Sequence, residues 1–511
     1  MEISEKKPIL GCLINNSWLL FAVVFLFLLA VNLGTLGNPP YWDEIIGIHN
    51  HALWLADNDF NLIKLWTTEP TCLGGGSNSY SLSLLALFYA LLYSILPHAC
   101  IFLIAHTLTL MCMAGVFVLF FKVIKNSSVS PIVAFMWCAA ALCAPIVSGR
   151  CAAIYQEVPL LALSAIAIYF FSKRKIAACC AFIFLAFLVK QTAILLVYAL
   201  VAWMIFDFIL RKFLNTENKP LKARNVLMVL SEAFVLSVAM PLTSSSWSEE
   251  GSVNFSIMIK KIMNHFFYFM HLEASELILI ALTTAMAFIS ASYRKKFLKN
   301  TFSIYLLILI AGFWLSYALL PTPLPRYSLF VIFPMCSFLA IALPKRISLI
   351  LATLFILWGC LNQNGCLYPP LPNNLRRSGA CLERSREFLK DLKANKKICS
   401  TLEKEAFNTP IVAKWPFVQM LTMPRLGYVS KALPNIYAAG IVPGYTSAKP
   451  LNKSTHLPHE TLYIYVPNDY ESWDKFNPSL KPYPNDIIIY AEASIPGEIL
   501  IFKSEKEGTP K

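Results

Sequence analysis

Residues 17–44 read SWLLFAVVFLFLLAVNLGTLGNPPYWDE. The run from Trp18 to Leu36 carries no charged side chain. A helix of that length just covers the roughly 30 Å hydrocarbon core of a bilayer at about 1.5 Å per residue. Lys6 and Lys7 precede it, as in the basic start of a signal peptide. No small-residue cleavage pattern stands before Tyr41, so the run reads as an uncleaved first membrane helix. Asn38-Pro39-Pro40 opens the loop that follows it. Tyr41-Trp42-Asp43-Glu44 then follow at its lip.

Working outward, the same pattern recurs. Apolar stretches near span length fall at 17–37, 99–121, 131–148, 157–172, 176–190, 192–210, 226–243, 275–292, 302–320, 327–343 and 347–364. This predicts an all-α polytopic membrane bundle of about eleven transmembrane helices over residues 1–365. After Gly365 the composition turns polar, which predicts a small soluble α/β domain over 366–511. Its expected helix is Leu382–Lys393, and its expected strands are Leu462–Val466, Ile487–Tyr490 and Glu498–Phe502. The segments Thr409–Pro416 and Pro424–Val429 read as strand-and-turn pieces of the same domain. The whole chain of 511 residues is 57% hydrophobic and only 14% charged, against about 25% charged in soluble domains.

The net charge of +14 would raise nucleic acid as a partner of a soluble protein. Here topology explains it without nucleic acid. A further apolar stretch, 79–97, decides the orientation. If it does not span, one face receives the basic clusters at 6–7, 122–125, 173–175, 211–224, 294–299 and 345–346, eighteen residues in all. The other face then receives six: Lys64, Arg150, Lys190, Lys260, Lys261 and Arg326. That bias marks the first face as cytoplasmic. If 79–97 spans, the first loops contradict the later ones. The stretch is therefore placed as a helix at, or dipping into, the outer face, where Ser77, Ser79, Ser81 and Ser83 suit a wet setting. Loops 38–98, 149–156 and 244–274 lie outside, the last with an interfacial amphipathic helix from Phe255 to Leu272. The C-terminal domain lies outside too.

Most of the 14 cysteines lie in apolar runs and act as small hydrophobes. No CxxC or Cys/His spacing suggests zinc. Cys366, Cys381 and Cys399 fall in the outer domain, where a disulfide of unspecified pairing is compatible with an oxidising compartment. Walker A and dinucleotide motifs are missing, and Gly74-Gly75-Gly76 lacks the lysine a phosphate loop needs.

Ionisable groups gather at the outer ends of the expected spans. Asp43 and Glu44 follow the first helix, ahead of a segment with His49, Asn50 and His51. Glu157 follows Gly149-Arg150-Cys151-Ala152-Ala153-Ile154-Tyr155-Gln156 and opens the next span. Lys190 interrupts the apolar run from Ile176 to Phe206. Arg326 opens the span at 327–343. Each has a plain structural alternative: a solvated N-cap for Asp43 and Glu44, an acid facing a helix dipole for Glu157, a snorkelling lysine and an interfacial arginine. Taken together, acids and bases at one face suit a surface reaction. A carboxylate deprotonates an acceptor hydroxyl, and cations stabilise a phosphate leaving group.

In the order of these motifs the chain resembles the membrane glycosyltransferases of the C-type (GT-C) fold. It resembles especially the dolichyl-phosphate-mannose protein mannosyltransferases and their bacterial relatives, such as the lipid A aminoarabinose transferases. The matching features are Tyr41-Trp42-Asp43-Glu44, the acid before Val158-Pro159-Leu160-Leu161, Val189-Lys190-Gln191-Thr192 and Pro325-Arg326-Tyr327, over roughly residues 15–365. The resemblance implies a hexosyl or pentosyl transferase using a polyprenyl-phosphate sugar donor. The acceptor is a lipid, glycan or protein at the outer face of a bacterial inner membrane, as in glycolipid biosynthesis. Asp43 is implied as the catalytic base, Glu44 as its organising neighbour and Glu157 as the second acid, where the family usually has aspartate. Lys190 and Arg326 are implied as donor-phosphate contacts. Some relatives need a divalent metal, Mg²⁺ or Mn²⁺, which Asp43 and Glu157 would hold; nothing in this sequence requires it. In the family the outer tail sits over the active site; a structural cap is the alternative.

Two other readings stand beside this one. A lipid transporter or flippase places ionisable groups inside its spans, where this chain offers His106, Asp207 and Glu232. A non-catalytic scaffold of the same fold accommodates the departure at Glu157.

Overall fold

The computed structural model describes residues 16–42, 44–62, 84–214, 221–243, 281–282, 285, 301–319, 325–365, 384–439, 446–451, 457–458, 460–466, 487–493 and 498–503. Asp43, Gly74–Gly76, Phe255–Leu272, Cys366, Cys381 and Leu382 lie outside the described residues, as does nearly all of the span expected at 275–292. The chain forms two compact units. One comprises Met1–Leu36, His106–Leu242 and Gly251–Tyr368; the other comprises Gly37–Ala105, Thr243–Glu250 and Pro369–Lys511.

The first unit is helical. Its helices Ser17–Asn32, His98–Asn126, Glu157–Ser172, Ile176–Val189, Ile194–Leu214, Ala223–Thr243, Thr301–Leu319, Leu329–Ala342 and Lys345–Leu361 coincide with expected spans. Ser17–Thr35, His98–Asn126 and Gln191–Ile209 are each long and apolar enough to cross a membrane. The helix ends follow local chemistry. Asn16 Oδ1 caps the first helix by accepting from the amides of Trp18 and Leu19. Arg174, with φ of 57°, makes the left-handed turn between Glu157–Ser172 and Ile176–Val189. The core is aromatic: Phe171 lies 4.3 Å from Tyr305 and 4.8 Å from Trp203, and Phe120 stacks 5.3 Å from Phe333.

The outward faces are apolar as well. The Ser17–Asn32 helix buries Leu20, Val24 and Leu28 while leaving Leu26 and Phe27 exposed. Phe208, Phe234 and Ile350 are likewise exposed. Apolar surface on this scale, repeated helix after helix, needs a hydrocarbon solvent. The chain is an integral membrane protein.

One expected span is not continuous, and the break expected between 176–190 and 192–210 is present. The stretch 131–148 is a helix Pro131–Cys143 followed by Pro145–Cys151, bent by 69°, because Pro145 has no amide hydrogen to carry the ladder on. The apolar run from Ile176 is interrupted at Lys190, whose φ of −157° and ψ of 132° are extended. Within 79–97 the described residues form the helix Leu84–Ile95.

The second unit holds a mixed six-stranded sheet. Its strands are β1 Ile411–Ala413, β2 Ile436–Ala438, β3 Lys449–Pro450, β4 Leu462–Tyr465, β5 Ile487–Ala493 and β6 Glu498–Lys503, in the order β3-β2-β1-β4-β6-β5. The pairs from β3 to β4 are parallel, and β6 pairs antiparallel with β4 and β5. The last three strands fall at the expected segments Leu462–Val466, Ile487–Tyr490 and Glu498–Phe502. The helix expected over Leu382–Lys393 instead runs Phe388–Glu405. Glu387 holds Arg384 at 2.7 Å and accepts from Ser385 Oγ at 3.0 Å, so the chain turns there before the helix begins. Its buried face, Phe388, Asp391, Leu392, Asn395, Ile398, Cys399 and Leu402, repeats at helical spacing. Cys399 on that face is a free, buried thiol, which burial pushes well above the usual thiol pKa.

Candidate functional site

In the first unit, breaks in four helical segments bring charge inward. The bend at Ala144–Pro145 turns the short helix Pro145–Cys151 so that Arg150, in its last turn, is 1% exposed. Glu157, also 1% exposed, opens the Glu157–Ser172 helix, where a carboxylate complements the helix dipole. Lys190 occupies the extended link between two helices. Arg326 lies in the 3₁₀ turn Pro325–Ser328 ahead of Leu329–Ala342. Lys190 Nζ donates to Glu157 Oε1 at 2.7 Å, and Arg326 Nε lies 3.3 Å from the same oxygen. Glu157 Oε2 has no hydrogen-bond partner among the described residues.

Two tyrosine rings complete the cluster. Arg150 Cζ stands 4.5 Å from the centre of the Tyr155 ring and Arg326 Cζ 5.2 Å from it. Lys190 Nζ stands 4.9 Å from the Tyr327 ring and Arg326 Cζ 5.3 Å from it. These are cation–π distances. The described cluster thus counts three cations, one carboxylate and two electron-rich rings. Buried charge costs several kcal/mol per ion unless compensated. The arrangement suits an anion better than a metal: a divalent cation at Glu157 would meet Lys190 and Arg326 on the same carboxylate. Among the described residues no group of three His, Cys, Asp or Glu side chains has ligand geometry.

Glu157, Lys190 and Arg326, widely separated in sequence, therefore meet. Arg150, Tyr155 and Tyr327 join them without having been assigned a role from sequence. The signal for Arg150 was available: like Lys190 and Arg326, it is a single basic residue among those the sequence assigns to the outer face. The rings carry no sequence signal beyond adjacency, Tyr327 to Arg326 and Tyr155 two positions before Glu157. Of the transporter candidates, Asp207 pairs with Arg211 one helical turn on, and His106 is buried.

In the second unit, Glu44 is 1% exposed, and its Oε2 accepts the amide of Tyr41 at 2.6 Å. This is the reach-back half of a capping box, which ends the preceding turn and starts the helix. The cap is buried where a solvated one was the alternative. The chain then runs as a π-helix over Ile45–Asn50 and an α-helix over His51–Asp57. Trp42 has φ of 46°, a conformation a bulky residue keeps only where its surroundings enforce it.

Those surroundings come from the C-terminal part of the same unit. Trp415 meets Trp42 edge-on at 4.7 Å. Tyr41 Oη donates to Asp391 Oδ2 at 3.0 Å and its ring lies 5.6 Å from Phe388. Tyr428 Oη donates to the Pro40 carbonyl at 2.7 Å. Behind them, His49 Nδ1 shares a 2.8 Å hydrogen bond with Tyr93 Oη and its ring stacks 4.9 Å from Tyr89. Burial pushes the His51 pKa down to about 4.

No family model matches the chain, and no curated protein matches it. Among solved structures it is similar to ArnT from Cupriavidus metallidurans in its apo state, at 15% identity and a TM-score of 0.43, over 97% of this chain and 99% of that one. It is also similar to the same protein bound to undecaprenyl phosphate, at 14% identity and a TM-score of 0.49, over the same shares.

Proposed function

We propose that the chain is a membrane glycosyltransferase that moves a sugar from a polyprenyl-phosphate donor to an acceptor at the outer, periplasmic face. The observation that carries this reading is the buried meeting of Arg150, Lys190 and Arg326 around Glu157. In the reaction the acceptor oxygen forms a bond to the anomeric carbon while the bond from that carbon to the phosphate oxygen breaks. The phosphate gains negative charge as it leaves. Fixed cations in a dry site hold the leaving phosphate more strongly than the donor, which lowers the barrier. Glu157 balances one of them and holds Lys190 and Arg326 together.

The base that takes the acceptor's proton is assigned to Asp43, as the resemblance implies. Glu44 organises the chain beside it through the Tyr41 amide. Direct displacement inverts the anomeric centre. The bundle of residues 1–365 crosses the membrane about eleven times, with the N-terminus cytoplasmic and residues 366–511 outside.

The test uses purified protein and radiolabelled polyprenyl-phosphate sugars, comparing wild type with Asp43→Asn. Label transferred or released by wild type and not by the variant supports the assignment. No turnover over a broad donor panel, with lipid-phosphate binding equal in both proteins, rejects it. That outcome favours lipid transport, for which the half-buried Glu232 within the Ala223–Thr243 helix speaks.

A further inference from the structure

The helices Pro131–Cys143 and Lys345–Leu361 run side by side in the same direction. Trp137 Nε1 donates to Ser348 Oγ at 2.7 Å, and the Trp137 ring lies 6.1 Å from Phe355. Toward their C-terminal ends the backbones themselves meet. A Cβ on Gly359 would fall 2.2 Å from the Cys143 carbonyl oxygen and 3.2 Å from Cys143 Cβ, so only glycine permits the approach. Gln363 Nε2 bridges the corner, donating to the carbonyls of Cys143 at 2.9 Å and Gly359 at 2.8 Å. Within it, the half-buried Cys143 and the exposed Cys360 stand with their Sγ atoms 3.9 Å apart.

We propose that Cys143 and Cys360 are a disulfide-forming pair that staples these two helix ends. A disulfide needs about 2.05 Å between sulfurs and about 3.8 Å between Cβ atoms. The backbones already meet, so side-chain torsions supply the remaining approach. The chemistry is thiol–disulfide exchange with a disulfide-bearing thiol oxidant. The exposed Cys360, once deprotonated, attacks the oxidant's disulfide and releases one thiol. Cys143, losing its own proton, then attacks the mixed disulfide at the Cys360 sulfur and releases the second. The protein pair loses two electrons and two protons, and the oxidant becomes two thiols. On the orientation read from the basic loops, both helices start at the cytoplasmic face and the pair sits at the oxidising face. Cys143 directly precedes the bend that carries Arg150, so the staple fixes the corner from which that arginine is held. The inference stands apart from the glycosyltransferase reading, since it concerns the helix ends whatever the cluster binds.

The test is peptide mapping by mass spectrometry of the full-length protein. One sample is alkylated with N-ethylmaleimide as isolated from membranes; a second is first exposed to oxidised glutathione. The expected result after oxidation is a linked peptide pair bearing Cys143 and Cys360, two hydrogens lighter than the sum of its parts and released by dithiothreitol. Cys143→Ser and Cys360→Ser each abolish it. The oxidised protein melts at a higher temperature than the reduced one, and that difference disappears in either variant. Two results overturn the proposal: both cysteines still alkylated after oxidation, or Cys360 carrying glutathione while Cys143 stays alkylated.

Discussion

At the scale of single residues, the decisive group is Glu157. Its carboxylate is the one anion among three described cations, and one of its oxygens faces both Lys190 and Arg326. Removing one partner of a buried ion pair costs about 3–5 kcal/mol, because the other is left uncompensated. Glu157→Gln is therefore expected to lower thermal stability markedly in the absence of ligand. Lys190→Gln is expected to weaken donor binding instead, by roughly 10-fold or more, the equivalent of one charge-assisted hydrogen bond. Thermal denaturation of both variants, with and without undecaprenyl phosphate, checks the pair. A stable Glu157→Gln protein would mean the cluster is not electrostatically strained without its acid.

His51 adds a pH dependence. Its folded-state pKa is lowered to about 4 from 6.5, so the unfolded chain binds a proton that the folded one refuses. Stability is then fully present above pH 6.5 and declines as pH falls toward 4, by roughly 3 kcal/mol across that window. Melting curves between pH 7 and pH 4.5 measure it. His51→Phe is expected to flatten the acid limb; an unchanged slope would assign the acid sensitivity to other groups.

At the scale of elements, helix ends do the work. The bend at Pro145, the extended link at Lys190 and the 3₁₀ turn at Arg326 each break an apolar run, and each break delivers a cation. Pro145 was readable as a breaker, whereas the Lys190 link shows no proline or glycine. There the lysine itself is the signal, a charge that an uninterrupted membrane helix would have to bury. The same logic of close approach governs Gly359. Gly359→Ala places a methyl group 2.2 Å from a carbonyl oxygen, and overpacking of this kind costs about 1–3 kcal/mol. A fall of several degrees in melting temperature is expected. No change would show that the two helices part easily.

The element scale also accounts for the shifted C-terminal helix. Sequence periodicity finds the apolar face from Phe388 to Leu402, but the start depends on Glu387 gripping Arg384 and Ser385. Periodicity does not report such a local competition.

At the scale of the whole molecule, the apolar helices and the polar tail set the orientation to be tested. The proposed count of about eleven spans, an odd number, puts the termini on opposite faces. Single cysteines placed near each terminus, in a protein otherwise stripped of reactive thiols, are labelled in sealed vesicles of known orientation with a membrane-impermeant reagent. Labelling from opposite sides is expected, and labelling from the same side would remove one span from the count. Gly37–Ala105 and Pro369–Lys511, far apart in the chain, fold into one compact unit. Tyr41 and Trp42 gain their partners Asp391 and Trp415 there.

The sequence by itself located the described apolar helices, apart from the bend inside 131–148, and the last three strands of the polar segment that follows them. Hydrophobic runs and strand alternation are local properties, and water or lipid reads them wherever the chain goes. It also singled out Glu157, Lys190 and Arg326, because isolated charges beside apolar runs are costly enough to need a reason. Only the tertiary structure decided that these three meet, that Arg150, Tyr155 and Tyr327 join them, and that Tyr41 and Trp42 are held by Asp391 and Trp415. Such meetings depend on how distant helix ends and loops pack together, and no local pattern of apolar and polar residues encodes that convergence.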